Sequence, residues 1–361
     1  MSEFKNNYVL IMAGGIGSRF WPKSRVNMPK QFIDILGLGS SLLQLTYQRF
    51  LKVCPEEHIY ILTNELYEGL VKEQLPALSD NQVLLEPSRN NTAPCIAYAV
   101  YKIMELDPEA NIVVAPSDHV ILKEEVFVNK INQALDFTAA NEAIVTLGIQ
   151  PTRPDTGYGY INFKAEHVDG VHPVAAFMEK PERSVAEQYV QAGNYLWNAG
   201  IFIWRASTIA SAFATHATEI DALFTRGKVF YNTEGEKAFI AEYYPQSPNI
   251  SIDYAILEKA DNIYTIPAEI GWSDLGTWAS LFEVADKDES LNVVNSDKVK
   301  LSETKDCIVH LPEGKVAVIR GLENYIIVDD QEVLLIYPKA HEQIIKKESQ
   351  EVTEKFGNRF A

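Results

Sequence analysis

A chain of 361 residues, 47% hydrophobic and 22% charged, is long enough for one large or two modest domains with a substantial core. Its formal net charge of −17 argues against nonspecific binding to nucleic acid or an anionic membrane, because the long-range field repels both. Three widely spaced cysteines (Cys54, Cys95 and Cys307) form no metal or redox motif and fit a reducing compartment.

Residues 1–7 contain Glu3 and Lys5 and lack a signal-peptide core, and no apolar stretch approaches the roughly 20 residues of a membrane span. A cytoplasmic protein is expected. The β-type run 8–12 then enters Ala13-Gly14-Gly15-Ile16-Gly17-Ser18-Arg19, where closely spaced glycines let backbone N–H groups surround an anion. Between Gly14 and Gln31 lie Arg19, Lys23, Arg25 and Lys30 and no acid, a local reversal of the overall charge that points to a polyphosphate. A plain strand-to-helix turn with scattered surface cations is the alternative. The segment is neither a Walker A loop nor a Gly-x-Gly-x-x-Gly fingerprint.

Further β runs at 58–63, 83–85, 111–115 and 143–147 alternate with helical spacing at 41–53 and 92–106, the pattern of a layered α/β domain. Pro94 suits a first helical turn, with Asn90, Asn91 or Thr92 as cap. Ligands of open α/β sheets bind outside the strands' carboxyl ends. That places the Gly14 loop, Glu86-Pro87 and Ser117-Asp118-His119 around one crevice. Asp118, directly after an apolar strand, either holds Mg²⁺ against phosphate oxygens or caps a helix.

From 150 to 285 the pattern is mixed, with strands expected at 160–163, 172–178, 200–204 and 263–267 and helices at 184–192, 251–259 and 275–284. Lys180, in Glu179-Lys180-Pro181, is either a phosphate ligand or half of a solvated ion pair. Gly157-Tyr158-Gly159-Tyr160 and Trp197-Asn198-Ala199-Gly200 suit a sugar, and equally plain turns. Asp274 offers a second acid before a helix, with the same metal-or-cap alternative as Asp118. Beyond Asp286 short β runs at 307–310, 316–320, 325–328 and 333–337 precede an amphipathic tail at 341–355. The expected division is a catalytic domain at 1–285, with a nucleotide half to about 150 and a sugar-phosphate half to 285. A β-rich unit with a terminal helix follows at 286–361.

These segments, taken in order over most of the chain, resemble the sugar-1-phosphate nucleotidyltransferases. The Phe20-Trp21-Pro22 and Pro29-Lys30-Gln31-Phe32 variant resembles their mannose-1-phosphate guanylyltransferase branch. The resemblance implies a Rossmann-like layered sheet with a small β-helix-like C-terminal domain, and Mg²⁺-dependent synthesis of GDP-mannose from GTP and mannose 1-phosphate. By resemblance, Arg19 and Lys30 hold the triphosphate tail, and Asp118 and Asp274 hold the metal. Ala13, Gly14, Gly15, Gly17, Ser18, Glu86, Asn91, Thr92 and Ser117 complete the nucleotide site, with 86–92 facing guanine. Lys180 clamps the mannose phosphate, with Gly157, Tyr158, Glu179 and Asn198 around the sugar. Arg89-Asn90 departs from the cation expected directly before Asn-Thr-Ala-Pro. Many bacterial relatives continue into a phosphomannose isomerase domain, for which 361 residues leave no room, so no isomerase activity is expected. The β-rich unit is expected to support a homodimer by covering its edges.

Overall fold

The structure, a computed structural model, describes residues 6–15 and 17–361. The readings of the first five residues and of Ile16 lie outside the described residues. By compactness the chain forms two interleaved units: Met1–Gly14 with Thr46–Ser117 and Ile121–Trp272, and Gly15–Leu45 with Asp118–Val120 and Ser273–Ala361.

The first unit carries β1 (Asn7–Met12), β2 (Ile59–Asn64), β3 (Val83–Glu86) and β4 (Asn111–Pro116). After the short β5 (Val120–Ile121) at the unit boundary come β6 (Ile144–Ile149), β7 (Tyr160–Phe163), β8 (His172–Met178), β9 (Tyr195–Arg205) and β10 (Ile263–Pro267). They form one nine-stranded sheet in the order β3-β2-β1-β4-β9-β6-β10-β8-β7. β1 to β4 are mutually parallel, and β9 runs antiparallel between β4 and β6. Their unbroken apolar runs suit strands buried on both faces. The parallel strands bring Met12, Glu86 and Pro116 to one edge of the sheet.

Helix Thr92–Met104 begins where Asn91, at φ 68°, accepts the Thr92 N–H on its side chain. Its buried face joins a core containing Phe202, Trp204, Phe213, Phe224 and Tyr244. Inside that core Lys102 pairs with Glu236 at 2.5 Å, and the Tyr98 hydroxyl donates to the same carboxylate. Such a pair is costly to break, because a lone buried charge would remain.

The second unit contains, after the boundary strand β11 (Trp272–Ser273), β12 (Val293–Asn295), β13 (Val299–Ser302), β14 (Ile308–His310), β15 (Ala317–Arg320), β16 (Tyr325–Asp330) and β17 (Val333–Pro338). Val293, Ile308 and Ile326 stack in parallel register, as do Val299 and Ala317, with a parallel bridge from Lys305 to Glu323. The chain thus winds in stacked parallel turns, the β-helix-like arrangement that the resemblance implies. β17 folds back antiparallel on β16, and helix Ile345–Phe356 follows. Phe20 and Trp21 are buried in the same cluster as Trp278, Ile308 and Ile326.

Candidate active site

Lys30 sits on a short 3-10 turn, Lys30–Phe32, and is almost wholly buried. Its ammonium lies 2.8 Å from Asp118 Oδ2 and donates to the backbone carbonyls of Asp274 at 2.8 Å and Leu275 at 2.9 Å. One cation therefore meets the Asp118 carboxylate and the backbone of Asp274. Burial pushes the Asp118 carboxyl up, but Lys30 and His119 outweigh that and hold it below the usual carboxylate range. Gly17, at φ 69°, passes so close that a Cβ there would lie 2.6 Å from that of Lys30, so the turn requires glycine. Gln31 Nε2 donates to the Gly15 carbonyl, fixing the loop further.

Neither acid is a helix cap. Asp118 precedes β5, and the next helix, Glu124–Ala140, has Lys123 at its N-cap position. Asp274 accepts the Gly276 N–H at 3.0 Å, while Thr277 caps Trp278–Val284 through the Ser280 N–H. Leu275 between them adopts φ 43°, a left-handed conformation unusual for leucine. Among the described residues no cluster of three or more metal-ligating side chains occurs. Two hard carboxylates nevertheless fit Mg²⁺, which usually takes one or two carboxylates and completes its shell with phosphate and water.

The four-cation reading needs correction. Arg25 is buried and donates to the carbonyls of Pro22, Asp330 and Arg359, and its guanidinium lies 3.6 Å from the Asp330 carboxylate. Lys23 also pairs with Asp330, at 3.3 Å. Both are fasteners of the loop, as is Trp21, whose indole N–H donates to the Phe360 carbonyl at 2.8 Å. Arg19, on the turn Ser18–Phe20, remains exposed.

At the carboxyl end of β3, Glu86 is partly buried, and its Oε2 accepts from the Tyr244 hydroxyl at 2.5 Å. Burial raises its pKa, while hydrogen bonds from Tyr244 and Cys95 and the charge of Arg89 act against that rise. A methyl group on Gly14 would lie 3.7 Å from Oε1. Ala13 is tied to β2 through the Leu62 carbonyl and the Thr63 hydroxyl, and Ser117 N–H donates to Met12. Asn91 is occupied as a cap, and the Thr92 hydroxyl accepts the Ile252 N–H. Arg89 lies over Tyr67 and donates to its hydroxyl, whereas Asn90 clasps Tyr244 and Ser247.

The expected sugar-phosphate residues also assemble within the first unit. Lys180 is exposed at φ 48° and pairs with Glu179 at 2.9 Å. Burial lowers its pKa, but Glu179 outweighs that and leaves the ammonium raised. A Cβ on Gly159 would meet Glu179 Oε2 at 2.5 Å. Asn198 lies inside β9, where its side-chain carbonyl accepts from Thr146 and Gly200 and its amide donates to Asp253 at 3.1 Å. Tyr158 packs edge-on against Trp197 and Trp272, and Gly157 N–H caps the Asp155 carboxylate.

Asp253 is the residue that sequence reasoning missed. It opens a π-helical turn, Asp253–Leu257, a distortion frequent at functional sites. Burial first, and then the Glu179 charge, push its carboxyl up to about 6. The available signal was an acid within Ser251-Ile252-Asp253-Tyr254, at the start of the expected helix.

Comparison with known proteins bears on these arrangements. The family model described as nucleotidyl transferase matches residues 8–290. A putative mannose-1-phosphate guanylyltransferase of Vibrio cholerae is 34% identical over 94% of this chain and 72% of its own length. Mannose-1-phosphate guanylyltransferase of Salmonella muenchen is 36% identical over the same shares. A crystal structure of mannose-1-phosphate geranyltransferase from Thermus thermophilus matches with a TM-score of 0.88 at 28% identity, covering 96% of this chain and 99% of that one. Among the described residues no helix is long and apolar enough to cross a membrane.

Proposed function

Because the chain belongs to the nucleotidyltransferase family, in its mannose-1-phosphate guanylyltransferase branch, we propose that it transfers GMP from GTP to α-D-mannose 1-phosphate. A phosphate oxygen of the sugar attacks the α-phosphorus in line as the bond to pyrophosphate breaks, with no protein nucleophile. The products are GDP-mannose and pyrophosphate. The observation that carries this reading is the gathering of Asp118 and the Asp274 backbone on one buried lysine.

In this reading the glycine-loop amides and Arg19 receive the triphosphate, and Glu86 reads the guanine edge. Lys180 holds the mannose phosphate, with Glu179, Asn198 and Gly157 at the sugar. Lys30 acts first as an organiser of the two acids, because its donors are already directed at protein oxygens. Asp118 and Asp274 would hold Mg²⁺, which supplies charge neutralisation at the α-phosphate and leaving group. The protein is assigned to the cytoplasm as a homodimer, a state supported by Val318, Leu334 and Ile336, which leave apolar side chains exposed on the β-rich region.

Pyrophosphate release measured across several nucleoside triphosphates and hexose 1-phosphates tests the reading, and GTP with mannose 1-phosphate should dominate. Equal turnover with dTTP and glucose 1-phosphate would identify another sugar-nucleotide pyrophosphorylase. Release from no pair would leave a GDP-mannose-binding regulator. Light scattering that gives a monomer mass at micromolar concentration would refute the dimer.

A further inference from the structure

Glu86 and Tyr244 lie far apart in sequence, yet the tyrosine hydroxyl, on a fully buried ring, reaches Glu86 Oε2 at 2.5 Å. The ring is held edge-on against Phe224, with centroids 5.8 Å apart. Its backbone is held too: Asn90 Nδ2 donates to the carbonyls of Tyr244 and Ser247, binding the 244–247 turn to the segment that follows Glu86. The hydroxyl therefore cannot follow the carboxylate if the carboxylate turns. It fixes one oxygen, while the other lies on the Gly14 side.

That constraint matters for a carboxylate that reads a base. The pairing edge of guanine presents two adjacent N–H donors, and an ionised carboxylate held edge-on accepts from both. Adenine presents a ring-nitrogen acceptor there, which a carboxylate repels. Rotation of the carboxylate would weaken the first interaction and relieve the second. Hydrogen bonds that hold a buried acceptor in one orientation are thus a source of discrimination, because the wrong partner is left with unpaired polar groups.

We propose that Tyr244 is the positioning residue that sets nucleotide-base selectivity, by locking the Glu86 carboxylate in the orientation that accepts guanine. This rests on the reading that Glu86 faces the guanine. Tyr244 itself need not touch the nucleotide.

The test measures kcat/KM for GTP and for ATP at saturating mannose 1-phosphate, in the wild type, Tyr244→Phe and Glu86→Gln. Tyr244→Phe should lower the GTP-to-ATP ratio about tenfold, the scale of a hydrogen bond to a charged group, with KM for mannose 1-phosphate unchanged. Loss of stability alone would lower activity with both nucleotides and leave the ratio in place. If Glu86→Gln collapses the ratio and Tyr244→Phe does not, the positioning role is overturned while the reading of Glu86 stands. If Glu86→Gln leaves the ratio intact, that reading fails and the role of Tyr244 falls with it. Should Tyr244→Phe not fold, Asn90→Ala loosens the same turn without removing the hydroxyl. It should lower the ratio in the same direction, and an unchanged ratio overturns the proposal.

Discussion

Replacing Lys30 by methionine separates the two things that this lysine can do. The substitution keeps most of the apolar stem and removes the ammonium, so the loss is confined to three polar contacts. The carbonyls of Asp274 and Leu275 lose a charged donor, at roughly 1–3 kcal/mol each if they stay unsatisfied. The ion pair with Asp118 adds only about 1 kcal/mol, because that carboxylate remains partly exposed. A destabilisation of roughly 3–7 kcal/mol follows, read as a lower urea midpoint of unfolding in the ligand-free protein. The pH dependence has a definite sign. With its folded pKa depressed, Asp118 contributes stability above the usual carboxylate range and loses it as pH falls through the folded value. In Lys30→Met the main charge that depresses the Asp118 pKa is gone while its burial remains, so Asp118's share of the acid loss should shrink or reverse sign. A variant with wild-type stability and a kcat reduced more than a hundredfold would refute this account and return Lys30 to direct service on the triphosphate.

The other expectations concern the acids and the second substrate. Asp118→Asn and Asp274→Asn should each lower kcat about 10²–10³-fold, the scale for loss of one group acting on transition-state charge; near-normal turnover at saturating Mg²⁺ would make that acid structural. Lys180→Ala should raise KM for mannose 1-phosphate more than KM for GTP, and a change confined to GTP would place the sugar phosphate elsewhere. For Asp253→Asn, the informative quantity is the wild-type-to-variant ratio of kcat/KM for mannose 1-phosphate, in which the substrate's own ionisation cancels. Below pH 6 the neutral acid resembles asparagine and the ratio should be flat, departing from that plateau as Asp253 ionises above about 6. A ratio flat from pH 5 to 8 would remove Asp253 from the site.

The parallel strands were the most legible part of the fold, because burial on both faces leaves a continuous apolar run, here β-branched and too short for a helix. Expected runs at 8–12, 83–85 and 111–115 correspond to β1, β3 and β4 within a residue or two. Helix Glu124–Ala140 carries a legible pattern too, since Phe127, Ile131, Leu135 and Thr138 recur at helical spacing and are buried. The segment around Asn198 had the composition of a turn but continues β9, because Gly200 at φ 67° absorbs the irregularity of its pairing with β6. The three- and four-residue strands β12 and β13 carry too little pattern to be seen before their stacking partners are known.

Residue types at the candidate site were legible from motif resemblance, but their partners were not. A cation's charge is visible in sequence, whereas what neutralises it is a tertiary fact. Lys23, Arg25 and Lys30 look alike within one glycine-rich segment, yet the first two meet Asp330 and the third meets Asp118. Counting cations against a net charge of −17 correctly marked the segment as unusual, and it could not tell an anionic ligand from an anionic side chain distant in sequence. Burial separates the cases. A cation placed to meet phosphate must keep donors accessible, as the exposed Arg19 does, whereas buried Arg25 directs its donors to protein oxygens. Lys30 is buried like Arg25 but ends on the Asp118 carboxylate and the Asp274 backbone, so its structural contacts lie at the two residues expected to hold the metal.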